Sequence, residues 1–403
     1  MTNSDPSAGD RDVVVVSAAR TPIGSYGRSL KGVPPTELGT IAAKAALSRA
    51  EIDPEQIEHV VFGNVIHTAT EDMYMARVVG MRAGIPQEVP AFTVNRLCGT
   101  GVQAIVSATQ MIAAGEADVV LAGGAESMSR GPYWIPSARW GARMGNTELL
   151  DPVLGGLTDP FHRILMGVTA ENLADRMGIS RAEQDAFAVE SHRRACAAQS
   201  AGLFDEEVEP VPIAGRKGEV HFARDEHLRA DASEKSLSKL PPVFREDGGT
   251  VTAGNSSGMN DAGAALVLMA AARAREIGVE PLARIAGYAS CGVDPRVMGI
   301  GPVPAVRRVL SKTGATLSDI GVIELNEAFA AQALAVIADL ELDPETVNPN
   351  GGAIALGHPI AASGAVIASK ALGEMRRCDH ELGLVTLCIG GGQGIALLLE
   401  RLA

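Results

Sequence analysis

Short, uninterrupted apolar runs alternate with helical patterns along this chain. Val13–Ser17 contains four consecutive valines, and Val60–Val65 is a second apolar run. Between them, Pro35–Ala50 carries apolar residues at helical spacing. Apolar runs without polar alternation are typical of strands buried on both faces of a mostly parallel sheet. The order strand, helix, strand therefore predicts an α/β fold.

The second part of the chain repeats the pattern of the first. The matching segments are Ile57–Val65 with Ile320–Ala328, Val94-Asn95 with Val347-Asn348, and Ala117–Ser127 with Leu382–Gly392. A chain of 403 residues also exceeds the usual size of a single hydrophobic core. We therefore expect two homologous α/β halves.

The stretch from about Met128 to Asn255 has no counterpart in this repeat. It contains both tryptophans, a charged helical segment at Thr169–Ala201 and a polar, turn-rich section at Gly215–Gly249. A long insertion is typically a lid or binding element, or else a packing or oligomer contact. The expected division is an N-terminal half at 1–127 plus about 258–281, an inserted loop domain at 128–257, and a C-terminal half at 282–403.

Composition argues against several classes of partner. The formal net charge is −13, whereas nucleic acids and anionic membranes attract basic surfaces. The five cysteines are an odd set without a C-x-x-C pair, which argues against a disulfide scaffold and a zinc site. Free thiols in a reducing compartment fit better, so we expect a cytoplasmic protein. Residues 1–11 are polar and predict a short disordered tail, and no apolar run is long enough to predict a membrane span.

Cys98 lies in the segment N-R-L-C-G-T-G-V, just before a helical pattern over Gly101–Ala114. A cysteine at a helix N-terminus is near the positive end of the helix dipole, which favours the nucleophilic thiolate. A buried, inert cysteine is the alternative. The segment alone leaves both interpretations open.

His358 lies among glycines and is followed at once by Pro359. This setting predicts an imidazole presented from a loop, where its neutral form can take a proton from a thiol. Cys388 ends an apolar strand and enters the glycine run around Gly390, whose backbone N–H groups are suited to an oxyanion. A simple tight turn is the alternative for the glycines, and helix capping is the alternative for Asn326 in N-E-A-F-A.

Taken together and in order, these segments resemble the thiolase family, the acetyl-CoA C-acyltransferases, and above all its bacterial broad-range β-ketothiolases. The resemblance rests on N-R-L-C-G-T-G, V-T-A-G-N-S-S-G-M-N-D-A-G-A-A, N-E-A-F-A, G-H-P and C-I-G-G-G-Q-G, and it covers nearly the whole chain. It implies a five-layered α-β-α-β-α thiolase fold with an inserted loop domain. It also implies a homodimer or homotetramer, with Trp134–Arg143 as a possible contact loop.

The resemblance further implies a role for each catalytic residue. His358 would deprotonate Cys98, which accepts the acyl group from an acyl-CoA. Cys388 would remove the α-proton of acetyl-CoA, and in thiolysis it would return that proton. Asn326, through a water, and His358 would bind the thioester oxygen, while the N–H groups of Cys98 and Gly390 would hold the second oxyanion.

Coenzyme A and its thioesters are expected as substrates, with no permanently bound cofactor and no metal. The residues that the resemblance assigns to coenzyme A are Ser257, Arg229, Ser236, Leu157, Leu240, Ala253, Ala328 and Phe329. Arg229 would supply the local cation that an acidic protein needs beside phosphates. Met166 and Met298 would line the acyl pocket, and ordinary core packing is their alternative.

Two positions depart from the family pattern. Leu165 stands where short-chain biosynthetic members have a histidine, which predicts a substrate range wider than acetoacetyl-CoA. Ala361 replaces a glycine after G-H-P-I. The competing interpretations are a β-ketoacyl synthase-like condensing enzyme, which would need a second histidine or an asparagine in place of Cys388, and a non-catalytic acyl-CoA-binding relative, which would lack part of the catalytic set.

Overall fold

The computed structural model describes residues 9–215 and 218–402, so residues 1–8 of the expected tail lie outside the described part. The strands are β1 (Val13–Arg20), β2 (Gly24–Ser25), β3 (His59–Gly63), β4 (Ala91–Val94), β5 (Val119–Ser127), β6 (Val211–Gly215), β7 (Gly218–Phe222), β8 (Asn260–Ala270), β9 (Ala283–Gly292), β10 (Ile320–Leu325), β11 (Leu382–Ile389) and β12 (Gln393–Glu400). The α-helices are α1 (Pro35–Arg49), α2 (Met75–Arg82), α3 (Thr100–Ala114), α4 (Pro152–Gly156), α5 (Met166–Met177), α6 (Arg181–Ser200), α7 (Glu234–Leu237), α8 (Ala271–Ile277), α9 (Pro302–Thr313), α10 (Ala330–Leu340), α11 (Ala353–Leu356) and α12 (Ile360–Cys378).

The strand order repeats, as the sequence predicts. In the first half the order is β4-β3-β5-β8-β1, with two parallel pairings followed by two antiparallel ones. In the second half β10-β11-β12-β9 follows the same pattern, and a parallel bridge between Ile323 and Val347 takes the place of the outermost strand. The two halves meet where β1 pairs briefly with β9 at Val14–Arg284 and Val15–Ala283.

Three apolar clusters define five layers. One cluster joins α1 and α2 to the first half of the sheet, and another joins α9 and α10 to the second half. The largest cluster lies between the two halves and contains the apolar faces of α3 and α12. The α-β-α-β-α arrangement is therefore confirmed. Leu97–Ala114, which includes α3, is long and apolar enough to cross a membrane by composition, but it packs in this central layer as a core helix.

The two central helices approach closely because small residues face each other. A methyl group added at Gly101 of α3 would lie only 2.5 Å from the backbone nitrogen of Ala365 in α12. Overpacking of this kind forces neighbouring backbone apart. The contact brings together the N-terminal ends of α3 and α12, which directly follow Cys98 and His358.

The insertion differs in detail from its predicted pattern. The charged segment Thr169–Ala201 is two helices, because Gly178 adopts a φ of 69° that ends α5 and Ser180 caps the start of α6. The turn-rich section contains β7 and α7. A buried ion pair ties the insertion to β1, since Arg20 donates to Asp225 at 2.8 Å.

Candidate active site

Cys98 lies in a single helical turn, Leu97–Gly99, between β4 and α3. The turn needs a left-handed φ of 46° at Leu97, which is uncommon for a residue with a side chain. Two hydrogen bonds support it: the Leu97 N–H donates to Asn95 Oδ1 at 3.0 Å, and the Arg96 N–H donates to Thr100 Oγ1 at 2.8 Å. The turn presents the partly buried Cys98 side chain at the start of α3.

The ionisation of Cys98 differs from the sequence expectation. Burial raises the pKa of the Cys98 thiol to about 11, and the charge of Glu126 acts in the same direction. Hydrogen bonds from the backbone N–H groups of Gly390 and of Cys98 itself lower the pKa but do not overcome desolvation. The resting group is therefore a thiol, and the thiolate expected from the helix dipole needs a base.

His358 has the protonation state that a base requires. It lies in the loop between α11 and α12, as predicted, and its backbone N–H donates to Asn260 Oδ1 at 2.9 Å. Burial lowers the pKa of the imidazole to about 4, so the ring is neutral at pH 7. Nδ1 lies 2.6 Å from Ser363 Oγ, whereas Nε2 is buried without a hydrogen-bond partner. With its proton on Nδ1, the ring donates to Ser363 and leaves the Nε2 lone pair free.

Cys388 and Gly390 are brought to the same place by β11. Cys388 is fully buried near the end of this strand, and burial raises the pKa of its thiol. The nearby Cys98 raises that pKa further, which places the two sulfur atoms within electrostatic reach of each other. The Gly390 N–H, two residues on, points at Cys98. A backbone donor beside the nucleophile is the arrangement expected of an oxyanion hole.

Asn326 directly follows β10 and has an unusual amide. Its side chain is 1% exposed, yet neither Nδ2 nor Oδ1 has a hydrogen-bond partner among the described residues. An unsatisfied buried amide is costly unless a water or ligand meets it. Its backbone N–H donates to Thr386 O at 3.0 Å, which fixes Asn326 to β11, the strand that carries Cys388.

Sequence reasoning missed Glu126, a fully buried carboxylate at the end of β5. Oε1 accepts hydrogen bonds from Asn64 Nδ2 at 3.1 Å and from the Ile66 N–H at 3.0 Å, and Oε2 accepts from the Ala361 N–H at 3.1 Å. Burial raises the pKa of Glu126 to about 8. This side chain ties the first half of the fold to the start of α12, just after His358. The sequence signal that could have identified Glu126 is its position as the only acidic residue in the small, apolar segment A-G-G-A-E-S.

Asn260 and Ser363 were also missed as partners of His358. Asn260 lies within a quoted motif and Ser363 lies five residues after His358, but nothing in their spacing shows that they contact the imidazole or its backbone. Met259, next to Asn260, forms a parallel bridge with His358. The segment that leads into β8 therefore runs alongside the loop that carries His358.

The residues expected around the acyl group cluster with Cys388. Met166, Met298, Ala328 and Phe329 share one buried apolar cluster with it. The ring of Phe244 joins the cluster and meets Phe329 edge-on, with ring centroids 6.0 Å apart. This apolar lining is what a hydrocarbon chain requires, although the same contacts also pack the core.

The residues expected to contact coenzyme A form an inner and an outer group. Leu157 and Cys98 pack against the same small apolar cluster, and the Ser257 backbone N–H donates to Ala328 O at 3.0 Å. Leu240 and Ala253 belong to the outer group. Leu240 packs with Leu237, and Ala253 is exposed.

The outer group lies on the surface of the insertion. Arg229 is exposed, and its guanidinium makes no ion pair with any residue the structure describes. The backbone N–H of Arg229 donates to His192 Nδ1 at 3.2 Å. The Ser236 hydroxyl donates to Ser233 O at 2.8 Å within the cap of α7.

Comparison with known proteins extends over the described fold. Residues 13–272 match the family described as thiolase, N-terminal domain, and residues 279–401 match thiolase, C-terminal domain. Beta-ketothiolase BktB of Cupriavidus necator is 57% identical over 97% of this chain and 100% of that protein. The mitochondrial 3-ketoacyl-CoA thiolase of Bos taurus is 47% identical over 98% of this chain and 99% of that protein. The crystal structure of human mitochondrial 3-ketoacyl-CoA thiolase in complex with CoA matches with a TM-score of 0.94 at 45% identity, covering 98% of this chain and 100% of that one.

The protonation state of Cys98 can be tested by alkylation. Because burial holds the pKa of its thiol near 11, the rate of modification by iodoacetamide should rise about tenfold per pH unit between pH 7 and 10. Mass spectrometry of the peptide that carries Cys98 measures the rate, and the peptide of the exposed Cys378 reports reagent activity in the same sample. A rate that is already constant between pH 6 and 8 would contradict the buried thiol.

Proposed function

The chain belongs to the thiolase family, and we propose that it exchanges acyl groups between coenzyme A thioesters through an acyl intermediate on Cys98. The reaction is acyl-CoA plus acetyl-CoA in equilibrium with 3-oxoacyl-CoA plus free CoA, which makes the protein an acyltransferase. One observation carries the proposal: the neutral, buried His358 keeps Nε2 without a hydrogen-bond partner, and it lies just before α12, the helix that contacts the turn carrying Cys98.

In the first half-reaction His358 takes the proton of Cys98. The thiolate attacks the thioester carbon, the carbon–sulfur bond to CoA breaks, and the acyl group remains on Cys98. The departing CoA thiolate takes the proton of the Cys388 thiol, which leaves Cys388 as a thiolate, while the proton from Cys98 stays on His358 Nε2. The N–H groups of Cys98 and Gly390 stabilise the oxyanion of this tetrahedral step. A thiol with a raised pKa becomes a strong nucleophile once deprotonated, so a nearby base is required for attack.

In the second half-reaction the Cys388 thiolate removes the α-proton of acetyl-CoA, and the resulting carbanion attacks the Cys98 thioester. The carbon–sulfur bond to Cys98 breaks, and the released Cys98 thiolate regains its proton from His358. Asn326, through a water, and His358 Nε2 hold the thioester oxygen of this second substrate; the two unpartnered amide atoms of Asn326 support this role. The raised pKa of Cys388 matches a weak carbon acid, because proton transfer is most efficient between groups of similar basicity. In thiolysis the same thiol returns the proton.

The two alternatives fit less well. A β-ketoacyl synthase-like enzyme would need a second histidine or an asparagine where this chain has Cys388 beside Cys98. A non-catalytic acyl-CoA-binding relative would lack part of the catalytic set, whereas Cys98, His358 and Cys388 are all present. Both alternatives also lack the support of the named relatives.

Coenzyme A is proposed to enter as substrate along the insertion, with no permanently bound cofactor. Arg229 is suited to the nucleotide phosphates because its guanidinium is exposed and makes no ion pair among the described residues. Ser257 is proposed to contact the pantetheine, and Leu157, together with Leu240, the adenine end. The outer contacts are Ser236, Leu240 and Ala253, while Ala328 and Phe329 flank the pantetheine arm.

Met166 and Met298 are proposed to line the acyl pocket, with Leu165 at its edge. Leu165 is the partly buried residue before α5, and Met166 directly follows it. An apolar side chain here favours longer acyl groups over a strict four-carbon preference. Ala361 lies fully buried at the start of α12, where its N–H binds Glu126.

We propose a homodimer or homotetramer, because two exposed surfaces are apolar. Around Trp134–Arg143 the insertion exposes large side chains, including Trp140 at 84% and Met144 at 99%. The outer strand β4 ends the sheet and carries Phe92, which is 40% exposed. Unpaired strand edges and apolar patches are typical of subunit contacts.

The proposed domain division of the chain is an N-terminal half at 1–127 with about 258–281, an inserted loop domain at 128–257, and a C-terminal half at 282–403. The repeated strand order supports the outer two parts. A cytoplasmic location is proposed because all five cysteines are free thiols.

Replacing Cys98 should abolish turnover. We expect Cys98→Ala to lower the thiolysis rate of acetoacetyl-CoA with free CoA by at least about 1,000-fold, because the acyl acceptor is removed. Loss of the enolate absorbance of acetoacetyl-CoA measures the rate. Cys196→Ser, which changes a cysteine of α6 outside the site, should retain wild-type turnover. Turnover that survives Cys98→Ala rules out the proposed intermediate.

Chain-length preference should depend on position 165. The wild type should cleave 3-oxoacyl-CoAs longer than four carbons, and Leu165→His should shift the ratio of kcat/KM toward acetoacetyl-CoA by roughly fivefold or more, since polarity at the pocket disfavours a hydrocarbon chain. Initial rates over substrates of rising length provide the comparison. A wild-type profile confined to the four-carbon substrate would overturn the proposed role of Leu165.

The exposed loop should control assembly. We expect the wild type to have a multiple of the single-chain mass by size exclusion with light scattering, and Trp140→Ser with Met144→Ser to lower that mass. Val220→Ser, a change of another exposed apolar residue on β7, serves as the matched control and should leave the mass unchanged. A monomeric wild type is the result that refutes the assembly.

A further inference from the structure

A second cluster of reactive side chains lies at the end of α12 remote from the active site. Glu374, Cys378 and His380 each offer a ligand atom, and these atoms lie within 4.8 Å of one another. With 19 residues, α12 separates this cluster from the histidine loop by about 27 Å, at 1.5 Å per residue. The mechanism proposed above uses none of the three residues.

We propose that Glu374, Cys378 and His380 bind one zinc ion. A thiolate, an imidazole and a carboxylate are the donors that zinc prefers, and three protein ligands with a water complete a tetrahedral site. Bonds of about 2.0–2.3 Å place neighbouring ligand atoms roughly 3.3–3.5 Å apart. Cys378 Sγ already lies 3.2 Å from Glu374 Oε1, so a modest rotation of the remaining side chain is enough.

The carboxylate of Glu374 is oriented for this role. Its Oε2 accepts hydrogen bonds from Asn350 Nδ2 and from Arg377 NH2, each at 2.7 Å. These donors hold one oxygen and leave Oε1 directed at Cys378. Hydrogen bonds to the oxygen that does not bind the metal are how proteins fix a carboxylate ligand. Glu374 is largely buried, while Cys378 is exposed, so an ion has a path from solvent.

The chain turn after α12 brings the third ligand back. Asp379 adopts a left-handed φ of 57°, and the His380 N–H donates to Met375 O at 3.0 Å. The imidazole then packs over Gly321, where a methyl group would lie 2.5 Å from His380 Cγ. The site therefore has no C-x-x-C motif in the sequence, because its ligands come together where the chain turns back at the end of α12.

The charges of the site favour a divalent cation. Arg377 binds Glu374 Oε2 and also donates to Leu203 O at 3.2 Å, which holds its guanidinium on the Oε2 side, and Arg401 donates to the backbone carbonyl of His380 at 3.3 Å. The carboxylate of Glu374 and the thiolate of Cys378 together balance the two charges of zinc. Binding releases the proton of the Cys378 thiol to solvent, and no electron is transferred.

Zinc content and cobalt spectra test the proposal. After chelator treatment and exchange into Zn²⁺, the wild type should retain one more zinc per chain than Cys378→Ser, and His380→Gln should bind at least about tenfold more weakly than the wild type. Cobalt should give a thiolate charge-transfer absorption in the wild type that Cys378→Ser removes. Cys196→Ser is the matched cysteine control and should behave as the wild type does.

Two results would overturn the site. Equal zinc retention by the wild type and Cys378→Ser is the first, and the second is a cobalt–thiolate absorption that survives Cys378→Ser but disappears in Cys98→Ala, which would assign the metal to the catalytic thiols. Thiolysis by Cys378→Ser should match the wild type, so the outcome is independent of the proposed catalytic function.

Discussion

The close contact between α3 and α12 is the constraint on which the site depends. Gly101 and its neighbours let the backbones of the two central helices approach to a distance that side chains would forbid. The two helices come from different halves of the chain, and each begins directly after a reactive residue, Cys98 or His358. Small residues at this crossing therefore matter beyond packing, because they bring the segments that carry Cys98 and His358 close together.

Desolvation then sets the protonation state of the assembled groups. The same burial raises the pKa of both thiols and lowers the pKa of His358, so all three resting groups are uncharged at pH 7. A neutral site avoids the cost of isolated buried charges. It also leaves the lone pair of His358 Nε2 free to accept a proton. The proposed chemistry follows from this neutral resting state.

Buried polar contacts hold the halves in register around the pocket. Glu126 reaches from β5 to the first turn of α12, and Asn260 on β8 binds the backbone of His358. Within the second half, Lys370 of α12 donates to Glu324 of β10 at 2.8 Å. Breaking that ion pair leaves an uncompensated buried charge, and removing Glu126 or Asn260 leaves buried backbone N–H groups without an acceptor, so these contacts resist sliding of α12.

Much of the outline could be predicted from sequence, because local patterns encode it. The β-branched runs and helical spacing predicted β1 and α1 closely, the internal repeat predicted the duplicated strand order, and the motifs identified the family. The roles of Cys98, His358, Cys388 and Asn326 stay predictions. The sequence did not predict that the helical segment Thr169–Ala201 breaks at Gly178, because the φ angle of a glycine cannot be read from the charged helical pattern around it.

The tertiary structure alone decided how these residues are charged and held. The helix-dipole argument predicted a thiolate at Cys98, but desolvation outweighs the dipole, and burial cannot be read from neighbours in the chain. Glu126 and Ala361 are 235 positions apart, and Ser363 contacts His358 only because the chain turns at Pro359. The sequence by itself determined which chemical groups the protein carries and the order of its strands and helices. Their partners and protonation states depend on contacts between distant segments, which only the folded chain creates.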